Sequence, residues 1–175
     1  MAEIKNQRCP ICKKKTLTIR EVEEDIPYFG KTYIFSMDCS ECGFKKSDIE
    51  SAERKEPSKY EIEIDSKEDM KIRIIKSSQA IIKWPNLRIT IEPGIDSFGS
   101  ITNVEGLLDD AYHVLEFKRE TESDASVRKK TWKLMDKILD IKEGKIKTRL
   151  IIEDATGNSA IISQKAKKSP LKKKK

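Results

Sequence analysis

Four cysteines stand as two close pairs near the start of the chain, and their spacing restricts how this part can fold. Cys9 pairs with Cys12 and Cys39 pairs with Cys42, with 26 residues between the two pairs. In a Cys-x-x-Cys knuckle, a tight backbone turn brings two thiolates together. Two knuckles that face each other provide the four ligands of a tetrahedral zinc ion, at about 2.3 Å per Zn–S bond.

Disulfides, a redox-active pair and an iron–sulfur cluster are the competing explanations for these cysteines. The first residues lack the apolar run of a secretory signal, and no run of about 18 apolar residues could span a membrane. We therefore expect a cytoplasmic, reducing compartment, where close cysteine pairs bind metal more often than they form disulfides. Two widely separated pairs without a βαβ pattern argue against redox chemistry. The sequence predicts one structural Zn²⁺, bound by Cys9, Cys12, Cys39 and Cys42 as a closed ligand set.

The residues around the cysteine pairs predict a zinc ribbon over 1–49. Gly43 follows the second pair, where a turn favours positive φ, and Lys13 has the equivalent place after the first pair. Alternating runs at 16–22 and 31–37 indicate the two strands of a hairpin. A unit of about 45 residues buries too little surface to be stable alone, whereas structural zinc contributes about 10–16 kcal/mol.

The rest of the chain predicts a β-rich domain over 60–164, joined to the ribbon by a charged connector over 50–59. Short alternating apolar runs, with Pro and Gly between them, indicate a meandering antiparallel sheet. The predicted strands lie at 60–65, 70–75, 80–83, 87–91, 148–153 and 159–163. Because the last two follow helical segments, we expect them to pair with the earlier strands and close the domain.

Two amphipathic segments predict a helical hairpin at about 103–143. Thr102 and Glu105 have the spacing of a capping box at the start of the first helix, and apolar residues then recur at helical spacing. Gly106 within this helix costs about 1 kcal/mol relative to Ala, so we expect close packing to require it. The single histidine, His113, falls about 180° from the apolar stripe and is expected to be exposed.

Positive charge is concentrated at the C-terminal end. The chain has 36 Lys and Arg against 30 Asp and Glu, a formal charge of +6. Residues 165–175 hold seven lysines and no acid, so residues 1–164 carry a formal charge of −1. We expect 165–175 to be a disordered lysine tail that contacts RNA weakly at most. A near-neutral body argues against a nucleic-acid-binding surface, which needs clustered positive charge on the fold.

Five segments, taken in order, resemble the ZPR-type zinc-finger family. They are C-P-I-C, C-S-E-C-G-F, R-I-I-K-S-S-Q-A, I-T-N-V-E-G-L-L and E-D-A-T-G-N-S-A-I-I, and they span roughly residues 9–163. The resemblance implies a mainly β fold with α (α+β). An N-terminal four-cysteine zinc ribbon would precede a distorted double-stranded β-helix domain with a helical hairpin. This chain has that pair of domains once, like the archaeal form, whereas eukaryotic members carry it twice.

The resemblance also implies a function. Eukaryotic members associate with translation elongation factor 1-alpha and act as a chaperone for its folding. For this chain, the resemblance implies a zinc-binding protein-interaction module that is a chaperone-like or regulatory partner of elongation factor 1-alpha, its protein client. We expect the chain to be a monomer. Lys76 and Ser77 lie at family motif positions and are candidate partner contacts, with a solvated strand end as the alternative. Gly157 and Asn158 are motif positions that suit a turn.

The residues themselves bear on two other functions. An enzyme is not expected, because the thiols are committed to zinc and one histidine cannot build a cupin-type catalytic metal site. The alternative function is a zinc-ribbon RNA-binding factor linked to translation or transcription. Tyr28 and Phe29, beside Pro27 and Gly30 at the tip of the predicted hairpin, are further candidate partner contacts. Packing of these two aromatic residues against the second domain is the other possibility.

Overall fold

The computed structural model describes residues 2–26, 30–52, 55–94 and 97–171. Its N-terminal part is an antiparallel sheet with the strand order β1-β2-β3-β4. The strands are β1 (Ala2–Gln7), β2 (Leu17–Ile26), β3 (Gly30–Cys39) and β4 (Lys45–Ser51). We call this sheet, together with the two cysteine knuckles, the ribbon.

The two central strands of the ribbon agree with the predicted hairpin, but its two flanking strands were not predicted. β2 and β3 pair along their whole length, from Leu17 opposite Cys39 to Ile26 opposite Gly30. β1 is exposed along its whole length and β4 contains no buried residue. Both have polar sequences and lack the alternation of apolar residues that indicates a strand. They form because the outer edges of β2 and β3 offer backbone groups that need partners. β4 extends to Ser51, inside the segment that we assigned to the connector.

Among the described residues, the C-terminal part contains eight strands in two antiparallel sheets, so the prediction of one meandering sheet is wrong. One sheet has the order β12-β5-β10-β7-β8 and the other has the order β11-β6-β9. Consecutive strands such as β5 and β6 therefore lie in different sheets, as in a double-stranded β-helix. The strands are β5 (Ser58–Ile64), β6 (Arg73–Lys76), β7 (Ile81–Trp84), β8 (Ile89–Ile91), β9 (Ser100–Asn103), β10 (Thr148–Asp154), β11 (Ala160–Ile162) and β12 (Lys167–Pro170). We call these sheets, with the helices between β9 and β10, the β-domain.

The late strands complete both sheets, as predicted. β10 lies between β5 and β7, with Ile152 opposite Tyr60 on one side and Ile82 on the other. β11 pairs with β6, and Ile161 lies opposite Ile74. A strand with neighbours on both edges has its backbone groups satisfied, so β10 can be buried along most of its length.

The core of the β-domain is a cluster of 17 buried residues among those described. Trp84 of β7 and Ile152 of β10 are fully buried in it. Leu108 and Ile138 reach the same cluster from the two helices. The sheets and the helices therefore share one hydrophobic core.

Two helices, α1 (Val104–Thr121) and α2 (Ala125–Lys142), occupy the segment where a hairpin was predicted. The predicted capping box is wrong by one residue. The N-cap of α1 is Asn103, whose Oδ1 accepts a hydrogen bond from the Gly106 amide at 2.8 Å, while Thr102 belongs to β9. Over the described residues, neither helix has an apolar stretch long enough to cross a membrane.

The close packing predicted at Gly106 is confirmed. A Cβ atom on Gly106 would lie 2.4 Å from Thr102 Oγ1, where α1 leaves β9. Glu105, the second residue of the predicted box, contacts Lys142 of α2 at 3.4 Å instead. Lys142 also pairs with Asp109 at 2.7 Å, so ion pairs join the two helices.

The C-terminal lysine segment is partly ordered, which corrects the prediction of disorder over 165–175. Lys167–Pro170 form β12, an edge strand paired with β5. Lys165 Nζ lies 2.9 Å from Asp65 Oδ1 and 2.8 Å from Asp69 Oδ2. Composition could not indicate this order, because the strand depends on the open edge of β5, about a hundred residues earlier. The last four lysines of the tail lie outside the described residues.

The ribbon and the β-domain meet along β4 and the segment before β9. The Gly99 amide donates a hydrogen bond to Asp48 Oδ1 at 2.7 Å. A Cβ atom on Gly99 would lie 2.4 Å from the carbonyl oxygen of Ile49, so a larger residue would force the two backbones apart. In a second contact, Ile26 of β2 packs against the small buried cluster that contains Ile75 of β6.

Candidate metal centre

The two cysteine knuckles have the same backbone geometry. The Lys13 amide donates to the carbonyl oxygen of Cys9 at 3.0 Å, and the Gly43 amide donates to that of Cys39 at 3.1 Å. Both turns close with a positive φ, 64° at Lys13 and 71° at Gly43. Glycine adopts this conformation without strain, whereas Lys13 adopts it at some cost, as part of a turn that the metal site requires.

The structure brings the four predicted cysteines together. Their sulfur atoms all lie within 4.8 Å of one another. The distance from Cys9 Sγ to Cys42 Sγ is 3.7 Å, and that from Cys12 Sγ to Cys39 Sγ is also 3.7 Å. A zinc ion with four Zn–S bonds of about 2.3 Å separates its sulfur ligands by about 3.8 Å. The donor set and its spacing therefore fit tetrahedral Zn²⁺.

Hydrogen bonds from the protein stabilise negative charge on these sulfurs. The Ile11 amide donates to Cys9 Sγ at 3.4 Å, and Thr16 Oγ1 lies 3.2 Å from Cys39 Sγ. The Thr16 hydroxyl, with help from the Cys42 amide, lowers the pKa of Cys39 to about 6. Sequence reasoning missed Thr16, although its place directly before β2, beside Leu17, could have indicated a residue that faces the metal.

Crowding of the sulfurs opposes ionisation at the fourth cysteine. The Phe44 amide lowers the pKa of Cys42, but removal from water and the nearby sulfurs of Cys39, Cys9 and Cys12 outweigh it and raise that pKa to about 11. Four thiolates this close repel one another unless a cation lies between them. A bound dication removes that repulsion, because each thiolate then has an opposite charge as its nearest neighbour.

The arrangement is suited to structural zinc. All four ligands are cysteine sulfurs, and a closed set of this kind leaves no coordination position for a substrate or an activated water. The predicted exposure of His113 is confirmed: it lies on the outer side of α1, with Nδ1 3.4 Å from Glu116 Oε2. The zinc ion contributes folding energy to the ribbon, whose own buried core is small.

The two partner-contact candidates at the end of β6 have different surroundings. Lys76 is half-buried, and its Nζ donates to the carbonyl oxygen of Phe98 at 3.0 Å. Burial lowers the pKa of Lys76, although Asp110 and Asp48 act in the opposite direction. Ser77 is only 7% exposed, so it is neither a solvated strand end nor available for direct contact with a partner.

Ser77 belongs to a buried polar network around Asp154. The Ser77 amide donates to Ser159 Oγ at 3.0 Å, and the Ser159 hydroxyl donates to Asp154 Oδ2 at 2.6 Å. The Thr156 amide and hydroxyl donate to Asp154 Oδ1 at 2.8 and 2.7 Å. Burial raises the pKa of Asp154, but these hydrogen bonds outweigh it, and the pKa is lowered. The spacing of Asp154, Thr156 and Ser159 is typical of a turn in which an Asp side chain accepts hydrogen bonds from the residues that follow it. This spacing could have indicated the network from the sequence.

The remaining predicted positions are a turn and a loop tip. Gly157 has a φ of 69°, as the predicted turn requires, and a Cβ atom there would lie 2.3 Å from the Glu56 carbonyl oxygen. The turn therefore also packs against the connector. Tyr28 and Phe29, the candidate contacts at the hairpin tip, lie outside the described residues.

Comparison with known proteins gives matches to both parts of the chain. The family model described as the ZPR1 zinc-finger domain matches residues 3–57, and the one described as the ZPR1 jelly-roll domain matches residues 68–175. An uncharacterised ZPR1-like protein of Methanocaldococcus jannaschii is 36% identical over 165 residues, which cover 94% of this chain and 83% of that protein. Another, from Pyrococcus horikoshii, is 37% identical over 175 residues, with 98% and 78% covered.

Eukaryotic relatives match over a smaller share of their own length. The zinc finger chaperone zpr1 of Schizosaccharomyces pombe is 31% identical over 140 residues, which cover 78% of this chain and 30% of that protein. The human zinc finger protein ZPR1 is 30% identical over 141 residues, with the same two shares. The order of the matched segments is the order of ribbon and β-domain seen in the structure.

Proposed function

This chain belongs to the ZPR1 family, and from that premise we propose that it is a chaperone-like partner of translation elongation factor 1-alpha. The fission yeast relative is named a zinc finger chaperone. The match covers only 30% of that relative. That this chain shares the chaperone activity of the whole eukaryotic protein is therefore our proposal. We propose further that it acts in the cytoplasm, where its thiols stay reduced, and as a monomer.

The observation that carries the proposal is the closed set of four sulfurs in a ribbon that docks on the β-domain. A closed zinc site fixes backbone and leaves the metal without a reaction to perform. The Gly99 and Asp48 contact holds the ribbon against the β-domain, so the two parts present one continuous surface. Such a surface supports recognition of a protein client better than it supports catalysis.

The mechanism that follows is binding and release. The chain would hold a partly folded elongation factor through exposed apolar and polar side chains, and so prevent its aggregation. GTP would be bound by the client, whose closure around the nucleotide removes the surface that the chain recognises. Release then depends on the different affinity of the chain for the open and closed forms of the client.

The test is refolding of denatured elongation factor 1-alpha from the same organism, with and without the zinc-loaded chain. We expect the chain to raise the yield of GTP-binding factor and to form a complex that GTP dissociates in size-exclusion chromatography. A chain stripped of zinc with a chelator is the control and should have no effect. Equal yields with the loaded chain, the stripped chain and no chain would disprove the proposal.

RNA binding is the alternative function, and a pull-down with the same chain can detect it. Part of the lysine segment is already engaged, because Lys165 pairs with Asp65 and Asp69, and Lys168 lies 5.5 Å from the Tyr60 ring centre. Fewer lysines are therefore available for phosphate contacts than the sequence alone indicated. Recovery of RNA without the elongation factor in a pull-down from cell extract would favour the RNA-binding function instead.

A further inference from the structure

A groove of about 690 Å³ lies where the zinc knuckles, the β3–β4 hairpin and the segment before β9 meet. Its described lining combines apolar side chains with two lysines and contains no acidic residue. Its lining includes Ile11, Met37, Phe44, Lys45, Lys46 and Phe98. We call this site the knuckle groove.

The apolar side chains of the knuckle groove are unusually accessible. Ile11 is 64% exposed and Phe98 is 43% exposed, although both are large. Met37 and Phe44 are partly buried, and they pack against the small core around the zinc ligands. The floor of the groove is therefore fixed by the zinc centre, while its rim offers apolar surface to solvent.

Phe98 is held in place from both parts of the molecule. Its carbonyl oxygen accepts a hydrogen bond from Lys76 Nζ at 3.0 Å, on the β-domain side. The next residue, Gly99, donates to Asp48 on the ribbon side at 2.7 Å. Any side chain at Gly99 would meet the Ile49 carbonyl oxygen. We call these two hydrogen bonds, from Lys76 and from Gly99, the clamp. Through the clamp, the family-motif residue Lys76 positions Phe98, the aromatic residue at the rim of the groove.

The charge of the knuckle groove is positive. Neither Lys45 nor Lys46 forms an ion pair among the described residues. Of the nearby acids, Asp38 pairs with Arg20 and Glu41 pairs with Lys14. Asp48 and Glu50 line a neighbouring depression that shares Lys46 with the groove, and Asp48 accepts the Gly99 amide. A further ammonium group lies at the rim, because Lys13 Nζ is 2.6 Å from the Pro10 carbonyl oxygen. The lysines at the groove thus have no acidic partner within the part of the chain that the structure describes.

We propose that the knuckle groove binds an acidic peptide segment that carries apolar side chains. The carboxylates would face Lys45 and Lys46, and an apolar side chain would lie between Ile11 and Phe98. This combination matches both the charge and the shape of the groove, since charge complementarity sets orientation and apolar anchors supply affinity. The inference rests on the proposed function in one respect, that the chain recognises a protein.

The test uses fluorescence anisotropy of a labelled twelve-residue peptide made of alternating Glu and Leu residues. One matched peptide replaces Glu with Lys and another replaces Leu with Ala. We expect binding of the acidic apolar peptide alone, with an affinity that falls as salt is added. Equal binding of the lysine peptide, or no binding of the acidic apolar peptide at millimolar concentration, would overturn the proposal.

Variants locate the interaction on the chain. The double variant Lys45→Glu/Lys46→Glu should weaken peptide binding by about tenfold or more, and Phe98→Ala by about tenfold. The matched controls are Lys129→Glu/Lys130→Glu and Phe117→Ala, which change exposed residues of the helices. The controls should bind as the unaltered chain does. Equal losses in the controls would place the peptide elsewhere and reject the groove.

Lys76 is tested as a positioning residue. Lys76→Met removes the hydrogen bond to Phe98 and should weaken peptide binding severalfold, while zinc content stays at one ion per chain. Lys76→Arg keeps a donor at this place and should restore binding. If Lys76→Arg binds as weakly as Lys76→Met, the clamp does not act through that hydrogen bond.

The refolding assay separates this inference from the proposed function. If the Lys45→Glu/Lys46→Glu variant still assists elongation factor 1-alpha as well as the unaltered chain does, the proposed function stands and the knuckle groove is not its site. If the peptide binds as expected but the chain has no effect on the factor, the groove stands and the proposed client is wrong.

Discussion

The ribbon and the β-domain are stabilised by different interactions. Among the described residues, the central cluster of the ribbon has three buried members, Cys9, Leu17 and Cys39, of which two are metal ligands. The main core of the β-domain has 17 buried residues. Each fully buried large apolar side chain contributes roughly 1.5–3 kcal/mol. The β-domain can therefore depend on burial, whereas the ribbon depends on its cation.

Zinc removal is the strongest test of this difference. We expect one zinc per chain, and we expect a chelator or Cys39→Ser to unfold the ribbon, which loses about 10–16 kcal/mol of metal binding. The β-domain should stay folded. Metal analysis, with hydrogen exchange of the β2 and β3 amides, measures the effect on the ribbon. Fluorescence reports on the β-domain, because both tryptophans, Trp84 and Trp132, belong to it.

The control for zinc removal is Ser40→Ala, which changes an exposed neighbour of the same knuckle and should keep the metal. Protected ribbon amides in the metal-free chain would contradict the comparison. So would loss of the tryptophan signal together with the ribbon, because it would mean that the β-domain also depends on the cation.

A cavity in the core of the β-domain should destabilise that domain and leave the zinc-bound ribbon unchanged. Leu150 is fully buried at the centre of the five-stranded sheet, so Leu150→Ala should destabilise the β-domain by about 2–5 kcal/mol. Zinc content and ribbon protection should not change. Urea unfolding followed by tryptophan fluorescence measures the loss. Leu139→Ala, at a position 46% exposed on α2, is the control and should change stability much less.

The buried Asp154 network tests whether polar groups also hold the β-domain together. Asp154→Ala leaves the Ser159 and Thr156 donors without their acceptor, and we expect a loss of about 3 kcal/mol in urea unfolding. Because the folded pKa of Asp154 lies below its unfolded value, its contribution is present above the unfolded pKa and is lost as pH falls. Asp136→Ala, an exposed helix position, should change stability by less than about 0.5 kcal/mol.

The C-terminal strand gives the smallest expected effect. Burial raises the pKa of Asp69, but the Lys165 ammonium and the Asp65 amide outweigh it and lower that pKa to about 2. This contribution is complete above the unfolded pKa near 4 and is lost as pH falls toward 2. A chain that ends at Gln164 loses the half-exposed Lys165 pair but keeps the Asp65 amide, so it should lose about 1 kcal/mol or less near neutral pH. A chain that ends at Leu171 is the control, and equal stability of the two chains would show that β12 contributes nothing.

Much of the secondary structure was predictable from local patterns. The two helices, the central hairpin of the ribbon and most strands of the β-domain follow from apolar spacing and from turn residues. The prediction failed where an element depends on a partner far along the chain. The N-cap of α1 is Asn103 and not the predicted Thr102, because β9 continues through Thr102 to pair with β6. In the same way, β1, β4 and β12 exist because other strands offer them an edge.

The sequence by itself determined the zinc ligands, because a Cys-x-x-Cys knuckle is a local structure and two knuckles need only one hairpin between them. It also determined the mainly β composition with two helices, because periodicity is a property of short segments. Only the tertiary structure decided how the strands divide between two sheets, that Ser77 and Asp154 lie inside, and that Phe98 lies beside the zinc knuckles. These features join residues that are remote in sequence, and hydrogen bonding and burial choose such partners only when the whole chain has folded.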